Sequence, residues 1–275
     1  MPVSDPASLF GRHEFVIRRL HSLLGLMPLG GYLAFHLATN AAIIDGPAAY
    51  QHRADQIHVL GPTTILALEW SVIFLPILFH GLIGLLIVTR GKRNLVHYPY
   101  RENFRYTLER LTGVVAFAFI LWHVFHMHGW LHIAWWQEHV VYPLGGAQFD
   151  PKNAPATAAA ALQASWVVQV VYVVGTLAVV YHFANGLWTA GITWGVWTGP
   201  SAQRWANIPI WTIGLVLAVI AVGALWGMFT LPVVHDNTGG GKSEIRMSKY
   251  ETNPNHQNTN DRNLGRQSGR SKFDQ

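Results

Sequence analysis

Apolar runs without Asp, Glu, Lys or Arg alternate with short polar segments along this chain. The first run extends from Leu20 to Ile44. Similar runs cover roughly Pro62–Thr89, Leu111–Trp136, Ala164–Thr193 and Ile208–Pro232, and only the second contains a carboxylate, Glu69. As a helix the first run measures about 37 Å, enough to cross a hydrocarbon core of about 30 Å. The pattern predicts an all-α membrane protein with five transmembrane helices. It divides the chain into an N-terminal segment (1–19), a five-helix membrane domain (20–232) and a polar tail (233–275). The tail is rich in Asn, Gly and Ser with almost no aliphatic residues, a composition expected to be disordered.

Charge adds direction to this picture. Arg12, Arg18, Arg19, Arg90, Lys92, Arg93, Arg101, Arg105, Arg110 and Arg204 flank the spans on the N-terminal side; the opposite loops hold only Arg53 and Lys152. By the positive-inside rule the N-terminus and the Arg90–Arg110 loop are cytoplasmic, and five crossings put the C-terminus outside. Met1–Arg19 lacks the apolar core and small-residue cleavage site of a secretory signal, so it is expected to be retained. Because the basic residues cluster at the ends of apolar segments, with seven more mixed with five acids in the tail, the net charge of +5 does not lead to the expectation of a nucleic-acid partner. There is no cysteine, which excludes disulfides, cysteine-ligated iron–sulfur clusters and thioether-attached haem in this chain.

Four of the fifteen histidines lie deep in spans: His36 on the first, His80 on the second, His123 on the third and His182 on the fourth. Ionisable side chains at that depth are costly and point to function. The first and third spans run outward, and His36 and His123 fall about 20–25 Å from the inner edge. The second and fourth run inward, with His80 about 15 Å before the inner edge and His182 in the later half of its span. His36 therefore pairs with His123 near the outer face, and His80 with His182 nearer the inner face. Two bis-histidine sites stacked across a membrane fit two b-type haems in a helical bundle built by the first four spans.

Helical spacing supports shared faces. Gly25 lies eleven residues before His36, Ala116 seven before His123 and Gly175 seven before His182, while Gly84 and Gly186 follow His80 and His182 by four. Small residues there leave room for a porphyrin or simply let helices pack closely. Glu69, eleven residues before His80, is expected to face the interior near the outer haem, as a candidate site for exchanging protons with a quinone. Arg19, His21 and Ser22, at the inner end of the first span, are candidate contacts for a haem propionate or an inner quinone. His126, His128 and His132 lie among Trp130, Trp135 and Trp136 and read as part of an interfacial belt. Trp188, Trp194 and Trp197 read as inner anchors.

The stretches FVIRRLHSLLGLMPLGGYLAFHLATN (15–40), LEWSVIFLPILFHGLIG (68–84), LERLTGVVAFAFILWHVFH (108–126) and YHFANGLWTAGITWG (181–195) closely resemble the cytochrome b558 family of succinate dehydrogenase membrane anchors. The match covers four of the five spans and all four deep histidines. The resemblance implies His36 and His123 as ligands of an outer, low-potential haem, and His80 and His182 as ligands of an inner, high-potential one. It also implies an FAD-containing flavoprotein that oxidises succinate, an iron–sulfur partner at the cytoplasmic face, and a quinone as electron acceptor in the cell membrane. A quinol:fumarate reductase anchor would run the same parts in reverse. Dihaem anchors of formate dehydrogenase or hydrogenase take their histidines from other spans. A membrane di-iron hydroxylase or desaturase would need clustered histidine boxes on the cytoplasmic side. An anchor without cofactor leaves the four deep histidines without a reason.

Overall fold

The computed structural model describes residues 9–91, 100–236 and 244–247. Lys92, Arg93, the start of the N-terminal segment and most of the tail lie outside the described residues. Five helical segments are long and apolar enough to cross a membrane: Arg12–Asp45, Pro62–Arg90, Arg101–His128, Trp166–Thr193 and Pro200–Thr230.

The first two spans are each interrupted by a widened helical turn. In the first, α1 (Leu9–Leu24) passes through a π turn, Gly25–Leu29, into α2 (Gly30–Ala41), and a 3₁₀ turn, Ala42–Asp45, ends the span. Pro28 sits inside the π turn and has no N–H to give to the helical ladder. After α3 (Pro47–His58), the second span begins with α4 (Pro62–Leu68). It continues through a second π turn, Glu69–Phe74, into α5 (Leu75–Arg90), with Pro76 at the junction. Inserted residues of this kind often mark functional positions in helices, and Glu69 opens the second one.

The third span, α6 (Arg101–His128), stops eight residues before the sequence limit of Trp136. Gly129 adopts a left-handed conformation (φ 79°) and its N–H returns to the carbonyls of Val124 and Phe125, both at 3.0 Å. That is a glycine cap, and hydropathy does not register it. A one-turn helix, α7 (Ala134–Trp136), and a π turn, Gln137–Val141, follow. The next helix, α8 (Ala154–Gln163), is almost wholly buried despite lying between spans, with Ala154, Ala156 and Ala159 fully enclosed. Gln51 of α3 ties it down by donating to Pro151 O at 2.8 Å and accepting from Ala154 N at 2.9 Å.

The fourth span, α9 (Trp166–Thr193), starts at Ser165, whose hydroxyl accepts from Val168 N–H at 3.2 Å. The fifth, α10 (Pro200–Thr230), begins eight residues before the apolar run, because the polar SAQRWAN segment is helical too. Each span packs on its sequence neighbours. Span one lies on two, two on three, three on four and four on five, and α10 closes the ring against α2. Small residues mediate the closure: a Cβ on Gly227 would lie 2.8 Å from Ile43 Cγ2, and one on Gly223 3.0 Å from Ile44 Cδ1. A buried cluster of Leu37, Val180, Leu217 and Ala221 seals this seam. The outward faces carry exposed Leu82, Val174, Leu215, Val219 and Trp226, which suits a hydrocarbon surround.

The C-terminal unit, Leu231–Gln275, is separate. In it Val233–Asp236 (β1) and Glu244–Met247 (β2) pair antiparallel, with Val233 opposite Met247 and Asp236 opposite Glu244. The disorder expected of the tail falls almost wholly on residues outside the described ones, and two-residue alternation over four positions is too short a signal to stand out in a polar sequence.

Candidate cofactor site

A cavity of about 1630 Å³ runs along the inside of the ring. That exceeds the roughly 300–1,000 Å³ of a single small-molecule pocket. His36, His80, His123 and His182 all line it, and the fifth span contributes only Ala221, Ala224, Leu225 and Met228.

The four imidazoles come in two facing pairs. His36 and His123 have ring centroids 5.8 Å apart and planes 74° apart; His80 and His182 are at 6.0 Å and 73°. Two imidazoles bound through nitrogen to opposite sides of one metal, at about 2 Å each, have centroids roughly 6 Å apart. Both separations fit one metal between each pair. The first pair lies toward the α3 and α8 end, the second toward the end where α6 begins.

Hydrogen bonding orients each ring. His80 Nδ1 lies 2.9 Å from His21 O, and His182 Nδ1 lies 3.1 Å from Glu109 O. A carbonyl only accepts, so each Nδ1 carries the proton and each Nε2 presents its lone pair. His123 Nδ1 is 3.3 Å from the Tyr172 hydroxyl, and His36 Nδ1 is 3.5 Å from that of Tyr32. Among the described residues no Nε2 of the four has a hydrogen-bond partner. This is the second-shell pattern of metal-bound histidine. Among the described residues no group of three or more His, Cys, Asp or Glu is placed to hold a metal ion, so the deep histidines meet only in twos.

Glycines make room for the rings. A Cβ on Gly25 would overlap the His80 imidazole, and one on Gly113 would lie 2.8 Å from His182 Cε1. Ala116, Gly84 and Gly186 line the cavity as their spacing suggested. Gly175 does not; its missing side chain admits the Phe119 ring, so there the small residue serves helix packing. Gly113 was missed because it lies ten residues before His123 and touches a histidine of another span.

The candidate contacts at the α1 end divide. His21 lines the cavity and stacks on His80 at 4.0 Å, with planes 9° apart. Ser22 also lines it and accepts from Trp194 Nε1 at 3.3 Å. Arg19 turns away, donating to Thr193 O at 3.2 Å with its guanidinium against Phe15 and Trp194. Adjacent helical residues point about 100° apart, and it is Arg18 that lines the cavity, with Arg110. Trp188 and Trp197 tie this end together through Trp188 Nε1 to Gln203 O at 3.1 Å and Trp197 Nε1 to Trp188 O at 2.9 Å.

A buried polar chain extends from the second pair and had no sequence signal. Glu109 Oε1 is 3.2 Å from His182 Nδ1, and Glu109 Oε2 accepts from Asn185 Nδ2 at 2.7 Å. Asn185, fully buried, accepts from Arg105 Nε; Arg105 also donates to Asn207 Oδ1 at 2.7 Å and lies 3.9 Å over the Trp188 ring. Three spans are thereby cross-linked. Near the other pair, Tyr172 bonds both His123 and the buried His126, the latter at 2.9 Å. In the same region, outside the spans, Tyr50 donates to Asn40 Oδ1 at 3.2 Å, and burial pushes its phenol up to about 12.

Glu69 lines the cavity, with its Oε1 3.6 Å from His128 Nε2. The belt reading of His128 is thus corrected: its ring lines the cavity beside Glu69, as the last residue of α6 before the Gly129 cap. Trp130 and Trp136 do cap this end, donating to Leu121 O at 3.0 Å and Gly129 O at 2.8 Å.

No family model matches the chain. It is 32% identical, over 217 residues, to the succinate dehydrogenase cytochrome b558 subunit of Bacillus subtilis (strain 168), a match covering 78% of this chain and 98% of the relative. With five apolar spans in a ring and that match over nearly the whole relative, this multi-pass membrane protein belongs to the succinate dehydrogenase cytochrome b558 family.

Proposed function

We propose that this chain is the membrane subunit through which a succinate dehydrogenase complex passes electrons to a quinone by way of two b-type haems. The observation that carries the reading is the facing of two imidazole pairs across one cavity, each ring with Nε2 unbonded. His36 and His123 would hold one haem, near the outer face, and His80 and His182 the other, nearer the cytoplasm. Bound there, the haems supply one-electron transfer across an apolar core of about 30 Å, too far for a single cofactor.

The chain's own residues set the conditions for that transfer. The carbonyls of His21 and Glu109 fix two imidazoles and raise their basicity as ligands. Tyr32 and Tyr172 orient the other two. Leu, Ile and Phe side chains along the cavity keep water out. Arg18, Arg110, His21 and Ser22 give the inner end the donors that a propionate or a quinone requires. Glu69, in the outer half, exchanges protons with the quinone. Succinate is oxidised on an FAD-containing flavoprotein, and electrons arrive through an iron–sulfur subunit docked on the side of the Arg90–Arg110 loop. The N-terminus is cytoplasmic and the C-terminus outside, in the cell membrane.

His123→Ala tests this reading. Reduced-minus-oxidised spectra of membranes should fall from two b-type haems per chain to one. Quinone reduction should be lost while succinate oxidation with a soluble acceptor persists. Two unaltered haem signals in the variant would refute the assignment.

A further inference from the structure

We propose that His132 and His128 form a proton relay that reloads Glu69 from water at the α3 and α8 end of the bundle. The inference rests on the reading of Glu69 as the group that protonates the quinone.

His128 is the last residue of α6, and both of its ring nitrogens are buried without a hydrogen-bond partner. Its Nε2 points to Glu69 Oε1 at 3.6 Å, a separation that a small side-chain rotation closes when substrate binds. Its ring packs on Phe74, with centroids 5.8 Å apart, and on His132 at 4.4 Å. His132 is exposed. The turn that brings it there is built for the purpose: Gly129 and Trp130 both have positive φ, and Gln137 Nε2 pins Leu131 O at 2.6 Å. Glu69, His128 and His132 all line the cavity. Tyr32, His58 and Glu138 line it too, and none of them hydrogen-bonds His128.

A histidine kept only for packing has its N–H satisfied, because a buried unpaired donor is costly. Phe in its place would pack equally well without that cost. Two open nitrogens on one ring, one toward a carboxyl and the other free to accept, are what a relay requires: a proton enters at one and leaves from the other. The balance is simple. Reducing a quinone to a quinol takes two electrons, which arrive by the route proposed above, and two protons. Each proton leaves the Glu69 carboxyl for a quinone oxygen. The resulting carboxylate takes one from His128 Nε2–H, and His128 Nδ1 is resupplied through His132 from the outer water.

The test uses the intact complex in membranes with His128→Gln, His132→Gln and Glu69→Gln. His128→Gln should lower succinate:quinone reduction by at least about tenfold. Its haem spectrum and its affinity for a quinone-analogue inhibitor should match the wild type, and added imidazole should restore the rate. His132→Gln should show a smaller loss with the same rescue. Wild-type rates in both histidine variants, with Glu69→Gln inactive, would overturn the relay alone. Losses that imidazole does not restore would overturn it as well, as would a damaged haem spectrum in His128→Gln beside a normal rate in His132→Gln. A wild-type rate in Glu69→Gln would overturn the reading of Glu69 and the relay together.

Discussion

Gly25→Ala adds one methyl group to the π turn of the first span and should empty one of the two haem sites. The new Cβ would lie 2.6 Å from His80 Nδ1 and 3.3 Å from His80 Nε2, with Cε1 closer still. Ordinary contact begins near 3.4 Å, so the imidazole must retreat by about 1 Å, an overpacking strain of about 1–3 kcal/mol. The same retreat stretches the 2.9 Å bond from His80 Nδ1 to His21 O beyond hydrogen-bonding range, a further loss of about 0.5–1.5 kcal/mol. Together these weaken the site by one to three orders of magnitude, at about 1.4 kcal/mol for each tenfold. The assay is the haem-to-protein ratio of purified protein, with a reduced-minus-oxidised spectrum to show which signal is lost. Gly31→Ala is the control, since a Cβ there meets nothing within 4 Å. If Gly25→Ala keeps two haems with unshifted spectra while Gly31→Ala also does, the reasoning that Gly25 exists to seat His80 is wrong.

Other variants probe the frame around the site. Asn185→Leu leaves Arg105 Nε and Glu109 Oε2 without the partner they share and should cost about 1–3 kcal/mol, read as earlier unfolding in detergent. Tyr172→Phe should leave both haems bound but shift the midpoint potential of the one held by His36 and His123 in a redox titration, because His123 loses its hydroxyl partner. Ser165→Ala removes the cap of the fourth span and should lower stability by about 1 kcal/mol, with no change in either haem spectrum.

The lengths of the apolar runs by themselves indicated five helices long enough to cross a membrane, and the depth of each histidine in its run indicated which two meet. Both follow from local geometry: a helix rises by a constant step, so distance from a charged flank is distance into the membrane. The structure puts His36 beside His123 and His80 beside His182 for that reason. What no count along the chain reveals is where backbone regularity breaks and which groups from different spans meet. Gly129 ends the third span through its left-handed φ, and His128, the residue before it, meets Glu69 of another span. The polar start of α10 is helical yet largely exposed, and the Ala-rich α8, at ten residues, is too short to register as a span, so its burial is decided by neighbours far away in sequence. The same holds for the Glu109–Asn185–Arg105 chain and for Gly113: each residue is unremarkable on its own helix and acquires a role only when another span's histidine is packed against it. Arg18 rather than Arg19 faces the cavity because a rotation of about 100° separates adjacent side chains, and the phase of that rotation is set by packing against α5 and α9.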